Sequence, residues 1–171
     1  MPRVILIGPP GAGKSSVAKA LAKTSALPVI DTDAEVEKMA GKKISDIFVD
    51  DGEATFRKYE SEAVLTAITS SNAIVSLGGG AVMTPEIRKA LENSRTPIIY
   101  LEVSISQAAP RVGFNKDRPM LLVNPRQQWL ALMEVRKPIY EKLATRTFST
   151  DSKKPSEVAE SIARYLEGLS T

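Results

Sequence analysis

One segment, Gly8-Pro9-Pro10-Gly11-Ala12-Gly13-Lys14-Ser15, constrains this chain more than any other. An apolar run, Val4-Ile5-Leu6-Ile7, precedes it, and Val17, Ala18, Leu21 and Ala22 follow at helical spacing. A buried strand that runs into a glycine-rich turn and then a helix makes an anion cradle. Glycines let backbone N–H groups turn inward, and the helix N-terminus adds the positive end of its dipole. A glycine, four residues and then Gly-Lys-Ser is the phosphate-loop pattern, spanning residues 8–16 and specific for a nucleoside triphosphate. Gly11, Ala12, Gly13 and Ser16 are its candidate phosphate contacts. Lys14 is placed to reach the β- and γ-phosphates, and the Ser15 hydroxyl to ligate Mg²⁺. The motif leaves the acceptor unnamed.

The rest of the chain fits the fold this opening demands. Residues 28–31, 73–77, 97–101 and 146–150 read as further short strands, separated by polar or helical stretches. The longest such stretch runs from about 34 to 70, and Val158, Ile162, Tyr165, Leu166 and Leu169 mark a last amphipathic helix. Strand-helix alternation with continuously apolar strands predicts an α/β three-layer sandwich around a five-stranded parallel sheet, in one domain spanning 1–171. Ligands of such sheets lie beyond the carboxyl ends of the strands. Cysteine and histidine are both absent, which excludes a disulfide framework, a thiolate zinc site, a cysteine nucleophile and a Ser-His-Asp triad. Proton chemistry therefore falls to a carboxylate, lysine, tyrosine or water. A net charge of +3 suits an anionic ligand, whereas 5% aromatic residues and dispersed arginines argue against a nucleic-acid surface. No apolar run is long enough for a secretory leader or a membrane span, so a soluble cytoplasmic protein is expected.

Several strand-end and helical residues invite two readings each. Asp33 can accept a hydrogen bond from a substrate hydroxyl and take its proton, or cap the helix that begins at Ala34; both roles are compatible. Asp31 reads as a strand-end turn acid or a metal-side carboxylate. Arg57, three residues before Glu60, reads alone as half of a surface ion pair. Gly78-Gly79-Gly80 exceeds what a turn needs and predicts a close approach of backbone to ligand. That strand end also lacks the acid many phosphate-loop proteins carry there, which turns attention to Asp31. Residues 111–126 hold Gly113, Arg118, Pro119 and Pro125 with little helical or strand pattern, and read as a mobile lid or a solvated loop. Arg136 lies in a helical pattern with Trp129, Leu132, Met133, Val135, Ile139 and Leu143, which Pro138 is expected to kink or end. Residues 151–155 read as a plain turn before the last helix.

Taken together, Gly8–Ser16, Asp31-Thr32-Asp33, Phe56-Arg57-Lys58-Tyr59-Glu60, Gly78-Gly79-Gly80, Arg118-Pro119-Met120-Leu121 and Arg136-Lys137-Pro138-Ile139-Tyr140 closely resemble the shikimate kinase family. Those kinases belong to the nucleoside monophosphate kinase-like branch of phosphate-loop proteins. The resemblance spans nearly the whole chain. It implies transfer of the ATP γ-phosphoryl group to the 3-hydroxyl of shikimate, in chorismate and aromatic amino-acid biosynthesis. It assigns catalysis to Asp33, Lys14 and Arg118, and shikimate binding to Asp33, Arg57, Gly79 and Arg136 within a substrate region at about 33–62 and beyond. Ser15 and Asp31 would serve Mg²⁺, Arg111 and Lys153 the adenine side, and Arg118 the γ-phosphate from a lid at about 111–126. The implied partners are shikimate and MgATP, with no nucleic acid, no membrane and a monomeric state. A gluconate kinase-like enzyme or a non-catalytic nucleotide-binding relative are the competing readings.

Overall fold

Strand β1 (Val4–Ile7) is buried at all four positions, so both faces of the sheet around it are covered. The computed structural model describes residues 1–70, 72–113 and 124–171. In chain order the elements are β1, α1 (Lys14–Ser25), β2 (Val29–Asp31), α2 (Thr32–Ala40), α3 (Ile44–Asp50), α4 (Glu53–Ile68) and β3 (Ile74–Ser76). A short 3-10 turn (Ala81–Met83) leads to α5 (Pro85–Glu92), β4 (Ile98–Glu102), α6 (Ile105–Gly113), α7 (Pro125–Leu143), β5 (Arg146–Ser149) and α8 (Pro155–Leu169). The five strands form one parallel sheet in the order β2-β3-β1-β4-β5.

Register sets where the chemistry can sit. Leu6 pairs with Ser76, and Ser76 pairs with Asp31, so three strands end at one level. Two residues further on, Gly8 and Gly78 leave the sheet side by side. The chain steps from β1 out to β2, returns to β3, then crosses β1 to reach β4. This reversal opens a crevice at the carboxyl ends of β1 and β3.

The main core runs through the sheet and its helices, with Val4, Ile5, Leu6, Ile7, Ile74, Val75, Ile99 and Leu101 sealed from solvent. A second, smaller cluster, Val36, Ile47, Phe56 and Ala63, lies among α2, α3 and α4. Its Phe48 and Phe56 rings pack with centroids 4.8 Å apart. The stretch read from sequence as one long helical region is thus three helices around their own apolar centre, broken at Gly41 and Gly52, both at positive φ.

Both internal prolines of the later helices are accommodated. Helix α6 contains Pro110 and carries Arg111 in its last turn, where the sequence suggested the start of a patternless lid. Helix α7 passes through Pro138 without a break. Pro138 leaves the Glu134 carbonyl without its helical donor, but both residues are exposed, so water can take that place. The opposite face, with Trp129, Met133, Arg136, Tyr140 and Leu143 buried, holds the helix in line. Val135, grouped with that apolar stripe on sequence, is instead 55% exposed. Helix α5 and the 3-10 turn were not anticipated from the sequence.

Tyr100 on β4 stacks on Tyr140 of α7, with centroids 5.1 Å apart and planes at 29°. Its hydroxyl is buried with no hydrogen-bond partner among the described residues, and burial pushes its pKa well above the ordinary tyrosine value. A buried, unsatisfied hydroxyl costs about 1–3 kcal/mol. Tyr100→Phe should therefore raise the melting temperature by roughly 2–4 °C per kcal/mol recovered. A fall in melting temperature would show that the hydroxyl is satisfied.

Candidate active site

The phosphate loop follows from the register of β1. Gly11 (φ 86°) and Gly13 (φ 83°) adopt left-handed conformations that other residues reach only with strain, and they turn the chain back into the first turn of α1. Side chains hold the loop carbonyls. Lys14 Nζ donates to Gly8 O at 2.7 Å and to Pro9 O at 3.1 Å. Trp129 Nε1 of α7 donates to Pro10 O at 2.9 Å, and Arg111 Nη1 of α6 to Gly11 O at 2.7 Å. With its carbonyls so engaged, the loop's backbone curls around the start of α1, whose first N–H groups have no intrahelical partner.

The second strand ends at Asp31, and Asp33 follows in the first turn of α2. Ser15 Oγ donates to Asp31 Oδ2 at 2.8 Å, across the mouth of the loop. Asp31 Oδ1 accepts from the backbone N–H groups of Asp33 and Ala34, so Asp31, not Asp33, caps α2. The capping reading of Asp33 is thereby corrected: Asp33 lies inside the first turn. Between them, buried Thr32 donates to Ser76 O at 3.3 Å and accepts from Gly78 N–H at 3.1 Å, lashing the two strand ends together.

The three glycines after β3 sit where a Cβ would crowd neighbouring groups. A Cβ on Gly78 would lie 2.5 Å from Asp33 Oδ1 and 3.3 Å from Glu60 Oε2. On Gly79 it would meet Pro10 Cδ of the phosphate loop at 3.0 Å. On Gly80 it would lie 2.8 and 2.9 Å from the two terminal nitrogens of Arg57, and 3.0 Å from Arg136 Nη2. Among the described residues, the groups that crowd this backbone are the site's own side chains and the phosphate loop.

Arg57 and Arg136 therefore converge on one backbone position from two helices, α4 and α7. Arg57 Nη1 bonds Glu60 Oε1 at 2.7 Å, and Glu60 is 1% exposed. A partner so buried removes the surface-pair reading of Arg57. Burial pushes the Glu60 pKa above its ordinary 4.5, and the Asp33 charge adds to that, while Arg57 and Arg136 oppose it. The folded chain thus holds the Glu60 proton more tightly than the unfolded chain. The stability this lends is full below pH 4.5 and is lost as pH rises through the higher folded value. Arg57, bonded to it, limits the cost of the charged form.

Two clefts bracket the phosphate loop. One, of about 250 Å³, joins Lys14, Ser15, Asp31, Asp33 and Arg111. The other, of about 270 Å³, lies between Ala12, Gly13, Ser16, Arg111, Lys153 and Val158, at the position expected for adenine. A third hollow, of about 500 Å³, opens on the outer side of Arg57 and Arg136. The structure thus gathers Gly11, Ala12, Gly13, Lys14, Ser15, Ser16, Asp31, Asp33, Arg57, Gly79, Arg111, Arg136 and Lys153 around one end of the sheet. Arg118 and residues 114–123 of the expected lid lie outside the described residues. Sequence reasoning missed Thr32, Trp129 and Tyr140 as contributors. Their signal was polar-tipped groups inside otherwise apolar or acidic motifs.

Known proteins match this arrangement along its length. A family model described as shikimate kinase matches residues 10–167. A shikimate kinase of Thermobifida fusca is 49% identical over 165 residues, covering 96% of this chain and 95% of that protein. One of Streptomyces coelicolor is 42% identical, covering 97% and 96%. A solved shikimate kinase from Acinetobacter baumannii, in complex with shikimate, superposes with a TM-score of 0.93 at 30% identity, covering 98% of this chain and 94% of that one. With the phosphate loop, the paired acids and the converging arginines gathered at one end of the sheet, the chain belongs to the shikimate kinase family and is an ATP-dependent kinase.

Proposed function

We propose that this enzyme transfers the γ-phosphoryl group of ATP to the 3-hydroxyl of shikimate, giving shikimate 3-phosphate and ADP, and so serves chorismate and aromatic amino-acid biosynthesis. The observation that carries the reading is the convergence of Arg57 and Arg136 at Gly80, with Asp33 beside Gly78 and the phosphate loop beside Gly79. A planar guanidinium matches a carboxylate with two parallel N–H donors, and two such groups favour an acidic acceptor over a neutral polyol. Asp33 then faces the acceptor hydroxyls, and Gly79 N–H is a backbone contact to the acceptor.

MgATP lies along residues 8–16, with its base in the cleft between Arg111 and Lys153. Ser15 Oγ and Asp31, 2.8 Å apart, offer the hard oxygen donors that suit Mg²⁺, which otherwise keeps waters and phosphate oxygens as ligands. When bound there, the ion offsets negative charge on the β- and γ-phosphates. Asp33 accepts the proton of the acceptor hydroxyl. The new O–P bond forms as the bond from phosphorus to the β-γ bridging oxygen breaks, and ADP leaves with that electron pair. Lys14 stabilises the charge that moves onto the bridging oxygen. Arg118, which lies outside the described residues, is assigned to the negative charge on the transferring group. We further propose a monomer acting in the cytoplasm, with neither nucleic acid nor membrane as partner. Among the described residues no helix is long and apolar enough to cross a membrane.

ADP release from MgATP should be stimulated by shikimate and not by quinate, gluconate or buffer. Asp33→Asn should lower turnover by about 10²–10⁴-fold. Stimulation by gluconate instead would reassign the acceptor while leaving the nucleotide site in place. Arg136→Ala removes one charged hydrogen-bonding partner of the acceptor, so the shikimate KM should rise roughly 10- to 100-fold with the ATP KM little changed. An unaltered shikimate KM would remove Arg136 from the clamp.

A further inference from the structure

Helix α7 presents more than Arg136 to the crevice. Trp129, Met133, Arg136 and Tyr140 recur at spacings that place them on one face, and all four are buried. Trp129 reaches the phosphate loop at Pro10 O. Tyr140, fully buried, donates its hydroxyl proton to Gly79 O at 2.6 Å. Stacking on Tyr100 of β4 fixes the Tyr140 ring, so the hydroxyl is delivered from a rigid platform.

The carbonyl it holds belongs to the peptide joining Gly79 to Gly80. Two successive glycines place few steric limits on that peptide plane. The Ala81 N–H bond to Gly78 O closes a turn around that peptide, and the Tyr140 bond holds its carbonyl from outside the turn. In that orientation Gly80 Cα faces both guanidinium groups, close enough that a Cβ would lie 2.8–3.0 Å from their nitrogens.

We propose that the Tyr140 hydroxyl is a positioning group for the acceptor: by fixing the Gly79–Gly80 peptide, it sets the surface on which Arg57 and Arg136 rest. This inference builds on the assignment of those arginines to the acceptor carboxylate. Tyr140 itself touches no substrate, because it is sealed beneath the glycine segment. Its loss acts on acceptor binding rather than on the nucleotide. Trp129 and Arg111 hold the loop carbonyls independently.

Tyr140→Phe keeps the ring stack and deletes only the donor. Steady-state kinetics should show the shikimate KM raised about fivefold, the loss expected for one hydrogen bond, with the ATP KM unchanged and kcat within about twofold. Tyr100→Phe, which removes the partnerless hydroxyl of the same stack, should leave the shikimate KM unmoved. A merely structural tyrosine would instead lower the melting temperature of Tyr140→Phe with no change in the shikimate KM, and that result overturns the proposal. Arg136→Ala, measured alongside, separates the two levels. If it weakens shikimate binding and Tyr140→Phe does not, the positioning role fails and the clamp stands. If neither variant moves the shikimate KM, the clamp assignment fails and the positioning role goes with it.

Discussion

Most of the site depends on the close approach between the backbone of residues 78–80 and the side chains around it. Asp33 and Glu60 press on Gly78, the phosphate loop's Pro10 on Gly79, and both guanidinium groups on Gly80. None of these three glycines is at positive φ, so the backbone itself is ordinary. What glycine contributes is the missing Cβ. A methyl group at any of the three would need to displace a carboxylate, the loop or the two arginines, of which Arg57 is bonded to buried Glu60. Close packing of this kind transmits small displacements instead of absorbing them.

That backbone is itself held from three sides. Thr32 ties its first residue to the start of α2, and Tyr140 ties the second to α7. The 3-10 turn after Gly80 carries the chain away, with Ala81 N–H bonded to Gly78 O. Helix α7 thus touches both glycine-rich segments, at Pro10 and at Gly79, while carrying Arg136 between those two contacts. Nucleotide and acceptor sites share one rigid element, which suits a reaction whose main demand is alignment of a donor phosphorus with an acceptor oxygen. The electrostatics are matched to the same end. In the proposed reading two guanidinium groups meet an anionic acceptor, and burial raises the pKa of the carboxylate behind Arg57.

The sheet and the loop were legible because they rest on local rules. Val4–Ile7 reads as a strand from its continuous apolar run, and Gly8–Ser15 as an anion cradle from its glycine spacing. The strand-end rule then located Asp31, Asp33 and Gly78–Gly80 correctly. What escaped depends on contacts distant in sequence. Pro138 looks like a helix breaker until the exposure of Glu134 and the burial of the opposite face are known. Arg57 with Glu60 looks like a surface pair until Glu60 is found sealed beneath it. The cap of α2 went to Asp31 instead of Asp33, a shift of two residues that backbone geometry alone decides. Trp129 and Tyr140 were hidden in a stripe of apolar spacing, because period reveals which face is buried and says nothing of what a polar tip will reach.

The central claim is that the glycine backbone after β3 seats the arginines that bind the acceptor. Calorimetric titration of Gly80→Ala tests it most directly, with shikimate and ADP titrated separately. The added methyl group would fall within 3.0 Å of both guanidinium groups and should push them from the crevice. Shikimate affinity should fall by about tenfold or more, while ADP affinity and the melting temperature stay near those of the parent protein. Shikimate affinity equal to that of the parent protein would mean that the acceptor is held elsewhere and that Gly80 does not seat the clamp.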